Sequence, residues 1–210
     1  MIVSIGEPMV EFNQVSERNY LQGFGGDSSN MIIAAARSGA RTAYVTRVGD
    51  DQFGRMLLEL WKREGVDTSG VGVDRDAPTG VYFVSHRAKG HVFSYLRSGS
   101  AASRMRPQDL PKRILEKARY VHASGISLAI SPSAADTVFA AYSAAKGKIS
   151  FDSNLRLKLW PLARARALIG AAAAMADYFF PSIEDAGPTW TGPTALARRW
   201  CSSSSAPKGF

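Results

Sequence analysis

The sequence predicts an α/β fold: a mostly parallel sheet covered by helices on both faces, with a small antiparallel β-flap beside it. Three observations predict it. Short β-rich runs alternate with helical segments from Met1 to Phe180, the pattern of a parallel sheet with crossover helices. Hairpin-like material near residues 9–25 and 80–96 breaks that alternation and reads as a separate flap. Finally, 210 residues with 45% hydrophobic and 21% charged side chains suffice for one large core.

Taken in order, Met1–Ile5 reads as a buried first strand ending at Gly6, and Met9–Phe12 as a second short strand. Gly23–Asn30 is turn-rich and leads into a helical segment, Met31–Ser38, with Gly39 as the C′ residue. Thr42–Val48 is a buried strand. Phe53–Glu64 is an amphipathic helix with Phe53, Met56, Leu57, Leu60 and Trp61 on one face. Gly80–Ser85 and Val92–Leu96 form a hairpin around Lys89-Gly90. Pro107–Lys117 suggests a short helix, Tyr120–Ala123 a strand, and Ser133–Ala145 a helix behind Pro132. Ile149–Asp152, the alanine-rich Leu162–Ala176 and Tyr178–Phe180 complete a strand–helix–strand unit. Residues 1–185 therefore form one domain. Residues 186–210, with four consecutive serines and no defensible period, are expected to be a disordered tail.

Charge and composition exclude several classes. The formal net charge is +8, but the basic residues are scattered and not interleaved with aromatics, which speaks against nucleic acid. No apolar run approaches the roughly 18 residues of a membrane span, and no secretory leader is evident. The single cysteine, Cys201, cannot form an internal disulfide. A cytoplasmic setting is expected.

Four stretches carry candidate chemistry. In Gly25-Gly26-Asp27-Ser28-Ser29-Asn30 two glycines permit close backbone approach, and short polar side chains follow at a helix start. This reads either as a capped turn or as a seat for a polyhydroxylated or anionic ligand. Alternation places Tyr95 and Arg97 on one strand face, with Tyr82 available from the neighbouring strand. A guanidinium beside phenols suits a carboxylate, unless it is simply a solvated hairpin arginine. Asp152, Asn154 and Arg156 follow a buried strand at its carboxyl end, where open α/β sheets place ligands. Glu184 and Asp185 lie beyond the next strand and read equally as a Mg²⁺ site held through water or as the acidic first turn of a helix. His86 and His91 flank the hairpin turn, and His122 reads as a core histidine with a partner.

Together these stretches resemble the ribokinase, or phosphofructokinase-B, family of sugar kinases. The strings that carry the likeness are G-G-D-S-S-N at Gly25–Asn30, Ala34, Gly39, and V-G-D-D-x-F-G at Val48–Gly54. Within that family, Gly6-Glu7-Pro8, S-G-I-S-L-A-I-S-P at Ser124–Pro132, and F-D-S-N-L-R with Leu159-Trp160 are most similar to 2-keto-3-deoxygluconate kinases. The resemblance runs from Met1 to Asp185. It implies a ribokinase-like three-layer α/β/α fold with a β-lid, and ATP- and Mg²⁺-dependent phosphorylation of a small-molecule sugar acid. Fructokinase-like activity on a neutral ketose, or non-catalytic sugar binding, are the alternatives. It further implies that Gly25, Gly26, Asp27, Ser28 and Ser29 contact sugar hydroxyls and that Tyr82 packs on the sugar. Tyr95 and Arg97 would hold the carboxylate end, and Asn154 and Arg156 would lie between sugar and phosphates. Glu184 would belong to the metal region, with Ser182 where much of the family has Asn. A homodimer through the lid is expected.

The family's Gly-Ala-Gly-Asp base segment and its Lys-x-Gly-x-x-Gly nucleotide strand do not occur in the sequence. No catalytic base is therefore assigned, and the C-terminal part of the fold is expected to be missing, leaving sugar binding as the activity. Back-translation of Arg198–Phe210 with GC-leaning codons, read from the third base, gives P-V-V-L-L-K-L-G-A-E-G-F. The tail is accordingly expected to be a frameshifted reading of a longer kinase gene.

Overall fold

The computed structural model describes residues 1–87, 90–182 and 185. The tail at 186–210 and Glu184 lie outside the described residues. Six parallel strands form the main sheet: β1 (Ile2–Ile5), β4 (Thr42–Gly49), β5 (Val66–Asp74), β8 (Tyr120–Ser124), β9 (Lys148–Asp152) and β10 (Tyr178–Phe180), in spatial order β10-β9-β8-β1-β4-β5. A second sheet, the lid, contains β2 (Met9–Gln14), β3 (Tyr20–Gly25), β6 (Val81–Arg87) and β7 (Gly90–Leu96), in order β3-β2-β6-β7. The helices are α1 (Asp27–Arg37), α2 (Gln52–Arg63), α3 (Lys112–Lys117), α4 (Gly125–Ala129), α5 (Pro132–Ala144) and α6 (Leu162–Met175).

The period-2 alternation of the strands sorts the core into two layers. Val3, Ile5, Ala43, Val45, Val121, Ala123, Phe151 and Phe179 point to one face and pack against α4, α5 and α6. On the other face Ile2 and Tyr44 meet α1 and α2 through Ile32, Leu57 and Trp61. Tyr44 and Trp61 are fully buried and pack edge-to-face at 4.8 Å, worth about 0.5–1.5 kcal/mol beyond their burial. Over β8–β10 this second face borders a cavity of about 610 Å³ between Met31, Tyr120, His122, Tyr178 and Phe180.

Several boundaries differ from expectation for identifiable reasons. Helix α1 begins at Asp27 rather than Met31, because the kink at Gly26 (φ +95°) lets the polar Asp27–Asn30 form its first turn. Within the 9–25 hairpin, residues 23–25, read as the start of a turn, instead complete β3, which pairs antiparallel with β2 over six rungs. Strand β5 was not expected, since its two glycines and polar residues mask the β pattern; it is an edge strand of the main sheet. The expected helix at Pro107–Lys117 is split at Pro111 into a short 3₁₀ turn, Pro107–Asp109, and α3.

The Val48–Gly54 signature is a structural knot. Asp51 caps α2, accepting from the Gly54 N–H at 2.7 Å, and also accepts from the N–H and hydroxyl of Thr79 at 2.8 and 2.9 Å. The Thr79 hydroxyl in turn accepts from the Gly49 N–H at 2.9 Å. The end of β4, the start of α2 and the approach to β6 are thereby tied together, which fixes the lid relative to the main sheet. Burial pushes the Asp51 carboxyl up, but its hydrogen bonds from Thr79 and Gly54 outweigh this and hold it below the ordinary range.

Candidate functional site

The chain first leaves the main sheet for the lid at Gly6-Glu7-Pro8, and its last return from the lid is at Arg97–Ser100. At this junction the fully buried Glu7 carboxylate pairs with the Arg97 guanidinium and accepts from the Ser100 hydroxyl at 2.9 Å. Burial raises the Glu7 carboxyl above its ordinary range, opposed by the charge of Arg97 and the hydrogen bonds from Ser100 and Arg97. The Arg97 Nε is buried with no hydrogen-bond partner among the described residues.

From Arg97 an aromatic ladder runs along one lid face. The guanidinium lies 5.6 Å from the Tyr95 ring centroid, Tyr95 stacks on Tyr82 at 5.7 Å, and Phe93 lies 6.2 Å from Tyr95. Alternation places these side chains together, because Tyr82 and Tyr95 are direct register partners across β6 and β7. The Tyr82 hydroxyl donates to Glu11, its partner across β2 and β6. Burial, then that hydrogen bond and the Glu11 charge, keep the Tyr82 phenol protonated far above its ordinary range.

The diglycine meets this ladder directly. A Cβ on Gly25 would run into the Tyr82 ring and hydroxyl, so only glycine lets the ring lie against the backbone there. Gly26 adopts φ +95° and packs against the Glu7 carbonyl, where a side chain has no room. Next in sequence, Asp27 opens α1 and accepts through Oδ2 from the Asn154 side-chain amide at 2.9 Å. Its Oδ1 is buried with no hydrogen-bond partner among the described residues. Asn154 sits just past β9 with φ +29°, an uncommon backbone conformation for a non-glycine residue. Its N–H donates to Asp152 at 3.0 Å. Burial raises the Asp152 carboxyl, opposed by that N–H.

The structure thus brings Gly25, Gly26, Asp27, Tyr82, Tyr95, Arg97 and Asn154 into one contiguous chain of contacts. Two other expected residues, Ser28 and Ser29, are fully buried and face the core instead. The Ser28 hydroxyl bonds Tyr44 at 2.8 Å, and the Ser29 hydroxyl accepts from Trp61 at 3.0 Å. Their hydroxyls pin α1 to the core and are not presented to a ligand. Arg156 donates to the Leu155 carbonyl at 2.8 Å. Asp185 accepts from the Ser153 hydroxyl at 2.7 Å and the Leu155 N–H at 3.1 Å, so its carboxylate braces the segment after β9. The Ser182 hydroxyl accepts from the Asp185 N–H at 3.1 Å. Among the described residues no three His, Cys, Asp or Glu side chains converge as a metal site. His122 donates or accepts through Nδ1 with Ser150 at 2.9 Å, and burial lowers its pKa to about 4, so it stays neutral.

Sequence reasoning missed Glu7 and Glu11 as members of this cluster. Glu7 lies at the first crossing into the lid and Glu11 within β2, and their pairing partners lie some 70 to 90 residues away. No helix among the described residues is long and apolar enough to cross a membrane.

Residues 1–197 match the model of the pfkB family of carbohydrate kinases. The chain is 41% identical over 179 residues to a 2-dehydro-3-deoxygluconokinase of Thermoproteus tenax, covering 80% of this chain and 54% of that protein. It is 36% identical over 173 residues to fructokinase-2 of Solanum habrochaites, covering 78% and 53%. The structure of a fructokinase from Xylella fastidiosa with bound ATP superposes with a TM-score of 0.83 at 27% identity, covering 90% of this chain and 59% of that one. The chain spans about half the length of the curated relatives it matches.

Proposed function

The chain belongs to the pfkB family of carbohydrate kinases, and on that premise we propose that it binds and orients 2-keto-3-deoxygluconate (2-dehydro-3-deoxygluconate) for phosphorylation of a hydroxyl by ATP. One observation carries this reading: the diglycine, the unpaired Asp27 Oδ1 and the Tyr82–Tyr95–Arg97 ladder meet at the junction of sheet and lid. Asp27 Oδ1 accepts a hydrogen bond from a sugar hydroxyl, satisfying a buried oxygen that has no partner among the described residues. The Tyr95 ring packs against the carbon skeleton. Arg97 supplies positive charge at the acid end, beside the carboxylate of Glu7, which holds the guanidinium in place.

ATP supplies the phosphoryl group. The Asn154 amide and the Arg156 guanidinium, beyond the carboxyl end of β9, have the donor chemistry for phosphate oxygens. Among the described residues no cluster suited to Mg²⁺ occurs, and Glu184, the expected metal residue, lies outside them. What these residues contribute to phosphoryl transfer is positioning, exclusion of water by the lid and charge stabilisation.

A second reading, a neutral ketose as in the fructokinases, is favoured by one feature: Arg97 is already neutralised by Glu7. Chemical-shift mapping separates the two. The sugar acid is expected to shift the backbone resonances of Gly25, Gly26, Asp27 and Tyr95 at lower concentration than fructose does. Stronger binding of fructose at the same residues overturns the acid assignment, and shifts confined to other residues overturn the site.

A further inference from the structure

We propose that the lid carries a second site, unrelated to sugar binding, in which His86 and His91 chelate a divalent transition-metal ion of the copper or nickel type. The two histidines are direct register partners across β6 and β7. Both are exposed to solvent. Their Nδ1 atoms lie 2.8 Å apart, with ring planes 83° to each other. Two nitrogens bound at about 2.05 Å in cis positions of a square-planar or octahedral ion are separated by about 2.9 Å, whereas tetrahedral binding needs about 3.3 Å. The observed spacing matches the cis arrangement.

The supporting contacts favour the same reading. The His86 Nε2 lies 2.8 Å from Asn13 Oδ1, on β2. The Asn13 amide is oriented by its own Nδ2, which donates to Glu11 at 3.4 Å. An amide oxygen facing Nε2 requires the proton there, which leaves the His86 Nδ1 as a lone pair aimed at His91. This is the outer-shell arrangement that fixes the tautomer of metal-bound histidines. Without metal, His91 donates its Nδ1–H to that lone pair. With metal, His91 carries its proton on Nε2 instead, both Nδ1 lone pairs bind the ion, and no net proton is released. The ion would clip the edge strand β7 to β6 and, through Asn13, to β2.

The test is titration of the untagged Cys201→Ser chain with Cu²⁺, read by electron paramagnetic resonance and calorimetry. The site predicts one bound ion per chain, hyperfine coupling to two imidazole nitrogens, reversal by a chelator, and binding in the order Cu²⁺ over Ni²⁺ over Co²⁺. His86→Ala and His91→Ala should each abolish the two-nitrogen signal, and Asn13→Ala should weaken binding about tenfold. A spectrum with one nitrogen or none, or wild-type binding by His91→Ala, overturns the proposal. Sugar binding should be unchanged in these variants, so failure here leaves the sugar site untouched.

Discussion

Arg97, at the end of the last lid strand, reaches the fully buried carboxylate of Glu7, where the chain first leaves the main sheet, and the two form an ion pair. The pair ties the first crossing segment to the last, and it sets the guanidinium over the Tyr95 ring. A buried pair of this kind contributes less by its own attraction than by what its rupture exposes. Arg97→Ala leaves an uncompensated buried carboxylate and is expected to destabilise the chain by about 3–5 kcal/mol. The double variant Glu7→Gln/Arg97→Gln, which removes both charges, should recover most of that loss. Urea denaturation of the three chains measures it.

His122 gives the fold a pH dependence of known sign. Its folded pKa is held at about 4 by burial, below the ordinary value of 6.5. As pH falls from 6.5 towards 4 the unfolded chain binds a proton that the folded chain refuses, so stability is lost on acidification through that window. The effect amounts to about 3 kcal/mol when complete. His122→Gln should remove this component, seen as a smaller fall of the urea midpoint between pH 6.5 and 4 than in the wild type.

The two glycines should not be equivalent. Gly25→Ala forces the Tyr82 ring off the backbone and is expected to cost about 1–3 kcal/mol while misplacing the aromatic ladder. Gly26→Ala adds a φ of +95° that alanine rarely adopts to a collision with the Glu7 carbonyl, and should cost more. Thermal unfolding, with Tyr95 resonances as a reporter of the ladder, distinguishes them.

Asp51→Ala should loosen the lid without touching the candidate site. It removes a helix cap worth about 0.5–2 kcal/mol and strips the Thr79 N–H and hydroxyl of their acceptor. Hydrogen exchange is expected to accelerate in β6 and in the first turn of α2, and unchanged protection there would contradict the knot.

The parallel sheet was legible because its buried strands are β-rich runs such as Thr42–Val48, and the lid because two hairpin-like stretches broke the alternation. Strand β5 was not, since a strand at the sheet edge tolerates Gly70 and Gly72 and needs no apolar period. Within the candidate site, Tyr82, Tyr95 and Arg97 were readable from alternation on one strand pair. The orientation of Ser28 and Ser29 was not legible, because a serine at a helix start looks the same whether it faces a ligand or, as here, Tyr44 and Trp61. Glu7 was legible only as part of the Gly6-Glu7-Pro8 string and not as the partner of Arg97, because that partner is 90 residues away and only the meeting of the two sheets creates the pair.

The central claim, that cradle and lid hold an acidic sugar together, is tested most directly by calorimetric titration of 2-keto-3-deoxygluconate and fructose into two chains, the wild type and Glu7→Gln/Arg97→Gln. A charge-assisted contact predicts that the double variant loses about ten- to a hundredfold in affinity for the acid and little for fructose. Equal losses for both sugars, or undiminished binding of the acid, would contradict it.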